Sequence, residues 1–314
     1  MSLLSHGPVV ETVHARPEQE IIRRLVHKRT NQNVLLTGIS ANGTDRFRCT
    51  GRLPDDHQFF NDAGRTPLKD ILFYTELGRQ ASLAVSHAFL GVTTEDVFIF
   101  EGSEAALTDA VWSPELRSAD GPVAIDIAIN DMARRRTGAV NRVVAEHTMS
   151  IGGAPVFRGT GAWTIQPAAL FQRLRKTSSI SSMRASLDGA RQQPASNVVI
   201  AAPPRGADRT SVTTSLIVDY THPYFFDHPC DHIPGMLLLE GCAQLALAAF
   251  AEATSVSPAR SAVSAYTMNF LQFVECGRPT TLTAQVNAED DVEIVISQPD
   301  VVCGTTSMCI AFPV

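Results

Sequence analysis

Glu240 stands in an awkward place for a carboxylate. It lies between Met236-Leu237-Leu238-Leu239 and Leu245-Ala246-Leu247-Ala248-Ala249-Phe250, a stretch apolar nearly all round and therefore read as a buried helix. A buried carboxylate is costly unless it is paired or used. Apolar neighbours penalise the charged form and lift the pKa toward neutrality, where a carboxyl serves as a general base. Just ahead, Pro234-Gly235 opens the helix. Unpaired amides at a helix start can receive a developing oxyanion, and Gly235 has no side chain to keep a reacting carbonyl away. A second carboxylate, Glu76, sits three residues before Arg79 and four before Gln80, all on one helix face. Glu76 and Arg79 read either as a local ion pair or as a base beside an anion-binding guanidinium.

The elements that must carry these groups occur twice. A strong helix pattern at 67–90 starts on Pro67 and stops at Gly91. Strand patterns precede it at 33–38 and 46–51 and follow it at 97–100, 123–130, 141–150 and 157–165, with Gly152-Gly153-Ala154-Pro155 as a turn. Residues 168–210 show no clear period and read as a linker. The pattern then restarts with a strand at 212–220, a helix at 234–252 and strands at 261–274, 280–286, 292–297 and 303–312. The division is an N-terminal unit of 1–167, with a lead-in, and a C-terminal unit of 211–314.

The repeat extends to motifs. His57-Gln58-Phe59-Phe60-Asn61-Asp62, Asp70 and Glu76-x-x-x-Gln80 are echoed by His222 to His228, Asp231-His232 and Glu240-x-x-x-Gln244. With Phe59-Phe60 set against Phe225-Phe226, the first loop carries two extra residues. His57 then reads as a reduced counterpart of His228.

The chain has 314 residues, 44% hydrophobic and 18% charged, with a formal net charge of -6. This is ordinary globular composition, and the acidic balance argues against a general nucleic-acid binder. Arg134-Arg135-Arg136 and the group Arg173, Arg175 and Lys176 read either as solvated surface charge or as a docking patch for an acidic partner. The six cysteines form no C-x-x-C pair and no metal-finger spacing, so no metal is expected and the thiols read as reduced. No N-terminal signal is visible and no apolar run approaches the ~20 residues of a membrane span, so a cytoplasmic protein is expected.

Several of these motifs carry a resemblance. Asp227-His228-Pro229-x-Asp231-His232-Ile233-Pro234-Gly235-Met236-Leu237-x-x-Glu240-x-x-x-Gln244, with Val26-His27-Lys28, Val34-Leu35-Leu36-Thr37-Gly38 and Glu76-x-x-Arg79-Gln80, resembles the A-factor biosynthesis family of γ-butyrolactone synthases over nearly the whole chain. The Pro-Gly-x-x-x-x-Glu-x-x-x-Gln core is also similar to β-hydroxyacyl carrier-protein dehydratases. The resemblance implies an α+β tandem hotdog, each unit a long helix wrapped by a curved antiparallel sheet. It implies transfer of a β-ketoacyl group from acyl carrier protein to the hydroxyl of dihydroxyacetone phosphate, then cyclisation to a phosphorylated butenolide or a furan, without a cofactor. Such products are precursors of signals controlling antibiotic production in actinobacteria.

Under this reading Glu240, Glu76 and His228 are the catalytic candidates, with Glu240 the better base and His228 near the carbonyl, as the comparable dehydratase histidine is. Gly235 supplies the oxyanion site. Arg79, Gln80, Gln244, Asp231, His232 and Lys28 bind substrate, Arg79 on the acceptor phosphate, with His27 and Lys28 adding charge. Many relatives carry Glu-x-x-Arg-Gln in both repeats, whereas Ala243 stands at the second Arg position here. One composite site between the units is expected, in a monomer or homodimer. The same residues leave open a dehydratase or thioesterase acting on acyl carrier protein, and a non-catalytic carrier-protein binder.

Overall fold

A computed structural model describes residues 17–62, 65–117, 121–175, 197–203, 210–287 and 290–312. Eleven strands form one antiparallel sheet. In chain order they are β1 (Leu36–Ala41), β2 (Arg46–Gly51), β3 (Val97–Leu107), β4 (Val123–Arg134), β5 (Val140–Ile151), β6 (Ala154–Gln166), β7 (Ser211–Ser215), β8 (Ala262–Phe270), β9 (Thr281–Val286), β10 (Asp291–Gln298) and β11 (Val301–Ala311). Their spatial order is β1-β2-β4-β5-β6-β3-β8-β11-β10-β9-β7. The first six belong to one half and the last five to the other.

The seam is the β3–β8 pair, from Gly102 opposite Asn269 to Ala106 opposite Ala265. A side chain at Gly102 would put a Cβ 2.6 Å from the Met268 carbonyl oxygen, so the seam closes only around glycine there.

Among the described residues five α-helices accompany the sheet: α1 (Pro17–Leu25), α2 (Ile71–Phe89), α3 (Pro114–Arg117), α4 (Ala168–Leu174) and α5 (Gly235–Thr254). The helix expected from Pro67 starts later. Pro67–Lys69 form a 3-10 turn, and the Asp70 carboxylate accepts from the Leu72 amide as the N-cap of α2. Gly91, with φ +73, follows its end. Helix α5 begins directly after Pro234.

Both long helices are core. Phe73, Tyr74, Leu77 and Ala81 of α2 and Leu238, Leu245, Ala246 and Ala249 of α5 are almost fully enclosed. Each large apolar side chain contributes about 1.5–3 kcal/mol on burial. The expectation that no apolar run approaches a membrane span is corrected here: α5, at 20 residues, is long and apolar enough by length and composition. In the fold it packs against β8, β9, β10 and β11. At Gly241 a Cβ would lie 2.6 Å from Leu216, so the helix approaches the second half's edge through glycine.

The second half begins before residue 211. Ile200 bridges Leu216, and the Ala201 and Ile217 amides donate to Ser215 and Val199. Residues 197–203, inside the expected linker, thus form an extra edge of this half. Helix α4 also falls inside that linker, and the serine-rich part at 178–182 lies outside the described residues.

Candidate active site

The two halves present the same polar frame. In the first, Gln80 Nε2 donates to the Asn33 carbonyl and Gln80 Oε1 accepts from Leu35 N. In the second, Gln244 Nε2 donates to the Asn197 carbonyl and its Oε1 accepts from Val199 N. His57 Nε2 lies 3.2 Å from Asn33 Oδ1, and His222 Nε2 3.0 Å from Asn197 Oδ1. His57 Nδ1 accepts from the amides of Phe59 and Phe60, and His222 Nδ1 from those of Tyr224 and Phe225.

The expected alignment was therefore one residue out. Phe59-Phe60 matches Tyr224-Phe225, and the counterpart of His57 is His222, not His228. The Asn side chains also cross between halves: Asn33 Nδ2 donates to Asp227 Oδ1 at 2.8 Å, and Asn197 Nδ2 to Asp62 Oδ2 at 2.8 Å. Gln80 and Gln244 brace this frame, which corrects the expectation that they bind substrate.

Inside the frame the halves part company. Glu76 is fully buried and receives Arg79 Nε at 2.7 Å, Arg79 Nη2 at 2.8 Å, Gln80 Nε2 at 2.8 Å and Lys28 Nζ at 3.0 Å. Burial alone would raise its pKa, but the charges of Arg79 and Lys28 and these hydrogen bonds outweigh it and hold the carboxyl well below the usual range. Glu76, expected among the catalytic residues, is thus held as an anion by these donors. It anchors Arg79 and Lys28, and its charge opposes the burial that lowers the Lys28 pKa.

Glu240 is held by a residue the sequence reading missed. Arg65, from the loop before α2, donates through Nη1 to Oε1 at 2.7 Å and through Nη2 to Oε2 at 3.1 Å. Gln244 adds 2.6 Å, Arg65 also binds Asp70 at 2.8 Å, and its guanidinium lies 4.4 Å from the centre of the Phe59 ring. The arginine absent at Ala243 is thereby replaced from the other half. The only local signal is the buried, uncharged Ala243 itself.

A cavity of about 830 Å³ opens between the halves, within the range of small-molecule sites. Lys28, Glu76, Arg79, His228, Asp231, His232 and Gly235 line it, together with Phe98, Phe100, Phe157 and Phe270. Glu240, Gln80 and Gln244 are not on its wall. Glu240, expected to face the junction pocket as its base, instead has its carboxylate bound by Arg65 and does not line the cavity.

His228 reaches the Glu76 side from the second half's loop. Burial, then the charges of Lys28 and Arg79, lower its pKa to about 4, so it is neutral at pH 7. Its Nδ1 has no hydrogen-bond partner among the described residues. Close by in sequence, Leu237 and Leu238 both donate to the Pro234 carbonyl, which leaves the amides of Gly235 and Met236 without an acceptor in their own helix.

Asp231 is committed elsewhere. It accepts from His232 Nδ1 at 2.6 Å and from Arg175 Nε at 2.9 Å, and Arg175 also binds Glu275 at 2.7 Å. Burial would raise the Asp231 pKa, but these partners bring it down to about 2. Arg175 therefore faces inward rather than forming part of an open basic patch; Lys176 lies outside the described residues. Cys242 is buried, and burial pushes its thiol pKa up, away from nucleophilic use.

Two helices wrapped by a shared antiparallel sheet, with a cavity at their junction, define a double hotdog. The 12:0-ACP thioesterase from Umbellularia californica has a similar fold, with a TM-score of 0.50, 11% identity, and coverage of 87% of this chain and 99% of that one. The family model described as the A-factor biosynthesis hotdog domain matches residues 10–167 and 191–312, and the chain belongs to this family. Among its relatives, a 2-oxo-3-(phosphooxy)propyl 3-oxoalkanoate synthase of Streptomyces virginiae is 29% identical over 279 residues, covering 84% of this chain and 86% of that one. A protein of the same name from Streptomyces griseus is 28% identical over 302 residues, covering 92% and 89%.

Proposed function

We propose that the protein is an acyltransferase that moves a β-ketoacyl group from an acyl carrier protein thioester to the hydroxyl of dihydroxyacetone phosphate. The observation that carries this reading is the Lys28–Glu76–Arg79 cluster, two basic side chains on one buried carboxylate at the wall of a largely apolar cavity. An apolar cavity suits an acyl chain, and a braced cation pair suits the acceptor's phosphate. The relatives' name describes such a phosphorylated β-keto ester.

In this reading the thioester carbonyl lies at the start of α5. Its developing oxyanion is received by the Gly235 amide, with neutral His228 beside it. The acceptor hydroxyl attacks, a C–O bond forms, the C–S bond breaks and the carrier thiol leaves. Lys28 and Arg79 hold the phosphate so that this encounter is effectively intramolecular. Both carboxylates are saturated with donors, so the hydroxyl proton goes to a neutral histidine. The ester then closes by aldol condensation to a phosphorylated butenolide or a furan.

Mass spectrometry of the protein with several β-ketoacyl carrier proteins, with and without dihydroxyacetone phosphate, tests the proposal. Ester appearing only when the acceptor is present supports it. Free acid or an enoyl product in both mixtures would instead make it a thioesterase or dehydratase, and binding without turnover a carrier-protein binder.

A further inference from the structure

Lys28 follows a residue whose backbone is unusual. His27 has φ +57, in the left-handed region that non-glycine side chains seldom occupy. Such strain persists only where the surroundings enforce it, and it gathers at functional sites. Here the turn is enforced by the Lys28 amide donating to Arg23 O and the His27 amide donating to Arg24 O at the end of α1. The result puts the His27 ring on the cavity wall, next to the cation cluster.

The hydrogen positions on this ring follow from its neighbours. His87 Nδ1 lies 3.0 Å from the Val92 carbonyl oxygen, which can only accept, so His87 carries its proton on Nδ1. Its Nε2 is then a lone pair, and it sits 2.9 Å from His27 Nε2. His27 must therefore donate from Nε2, which leaves its own Nδ1 as a bare lone pair. That nitrogen has no partner among the described residues and is not among the sealed-off polar atoms. Phe98 packs edge-on against both rings and fixes their planes.

We infer that His27 is the catalytic base of this site, its Nδ1 taking the acceptor's hydroxyl proton while His87 serves as a positioning residue and proton relay behind it. The inference rests on the acyltransferase reading given above. As Nδ1 gains a proton, His27 can pass its Nε2 proton to His87 Nε2. The positive charge is then shared between His27, where burial and Arg79 disfavour it, and His87, where burial also disfavours it but the Val92 carbonyl and Asp96 favour it. When the C–S bond breaks, the relay runs back and the proton leaves His27 Nδ1 for the thiolate sulfur. The balance is thioester plus alcohol giving ester plus thiol. His27 is thus not a charged phosphate ligand. It stays neutral in the resting site, its pKa lowered to about 4 by burial, then by His87, Arg79 and His228.

The test compares His27→Ala, His27→Gln, His87→Phe and Lys28→Ala with the wild type, using a β-ketoacyl carrier protein and varied dihydroxyacetone phosphate. The expected result for both His27 variants is a fall in kcat of about 10²–10⁴ with little change in acceptor KM. Added imidazole should restore part of the rate in His27→Ala. His87→Phe keeps an aromatic ring but no nitrogen and should lower kcat by a smaller factor, again with KM unmoved. Lys28→Ala should mainly raise KM. Full kcat in His27→Gln, or a rise in KM alone, overturns the inference. If His27→Ala fails to fold, the His27→Gln and His87→Phe rates decide, and unchanged kcat in both overturns it. Wild-type protein that hydrolyses the thioester but makes no ester sinks the acyltransferase reading itself, a result separate from any variant-to-wild-type ratio.

Discussion

Replacing Arg65 with Met should destabilise the protein through a residue 175 positions distant in the chain. Glu240 is 2% exposed along its side chain and would keep only Gln244 as a donor. Removing one partner of a buried ion pair costs about 3–5 kcal/mol. The Arg65 side chain is 24% exposed, so water softens the loss and the lower figure, ~3 kcal/mol, applies. Loss of the guanidinium over Phe59 adds about 0.5 kcal/mol. At about 2.1 cal/mol/K per residue, a chain of this length has an unfolding entropy near 0.7 kcal/mol/K, so Tm should fall by about 5 °C. The double variant Arg65→Met/Glu240→Met removes both charges and should recover most of that loss. Thermal and urea unfolding of the wild type, Arg65→Met, Glu240→Met and the double variant gives the coupling directly. Because neither residue lines the cavity, the double variant should retain acyl transfer. A single variant within 1 kcal/mol of the wild type, or a double variant no more stable than the single, would refute the argument.

Two further outcomes follow from the site and its surroundings. His147 is buried and 2.8 Å from Ser82 Oγ, with its pKa lowered from 6.5 to about 4, chiefly by burial. A depressed folded pKa means the neutral ring contributes stability above pH 6.5, and this is lost as pH falls toward 4, by roughly 3 kcal/mol. Urea midpoints between pH 7 and 4 should fall less steeply in His147→Gln, and parallel slopes would count against it. Gly235→Val should cut acyl transfer about 100-fold, since a Cβ there would already lie 3.1 Å from the Phe270 ring; steady-state rates at saturating acceptor check this, and an unchanged kcat removes the oxyanion role.

The repeat was legible because two helix patterns with Glu-x-x-x-Gln spacing each follow an aromatic pair, and the hotdog form came from the family resemblance. The register of that repeat was not. Phe225-Phe226 looks like Phe59-Phe60, yet the frame is set by His57 and His222, whose Nδ1 atoms receive the following amides. A better signal was present in Asn33-Val34-Leu35 and Asn197-Val198-Val199, one on each half's edge, which would have shown that the second unit takes in residues before 211.

The partner of Glu240 was hidden for a different reason. Apolar flanks do mark Glu240 as buried, but burial does not tell whether a carboxylate is used or clasped. The clasp comes from Arg65, in a loop of the other half, and no local pattern connects the two. Glu76, with Arg79 one turn away, showed its ion pair openly; Lys28, 48 positions upstream, did not. The left-handed turn at His27 is likewise invisible in a sequence where nothing but glycine usually signals positive φ.

The continuous β3–β8 seam has a consequence for inheritance of change. In a dimer of identical subunits every substitution is made twice, so a plug in one pocket is a plug in both. A single polypeptide carrying both copies escapes that rule. Arg65 can clamp the carboxylate of one repeat, Glu240, while the carboxylate of the other, Glu76, stays on the cavity wall beside Lys28 and Arg79.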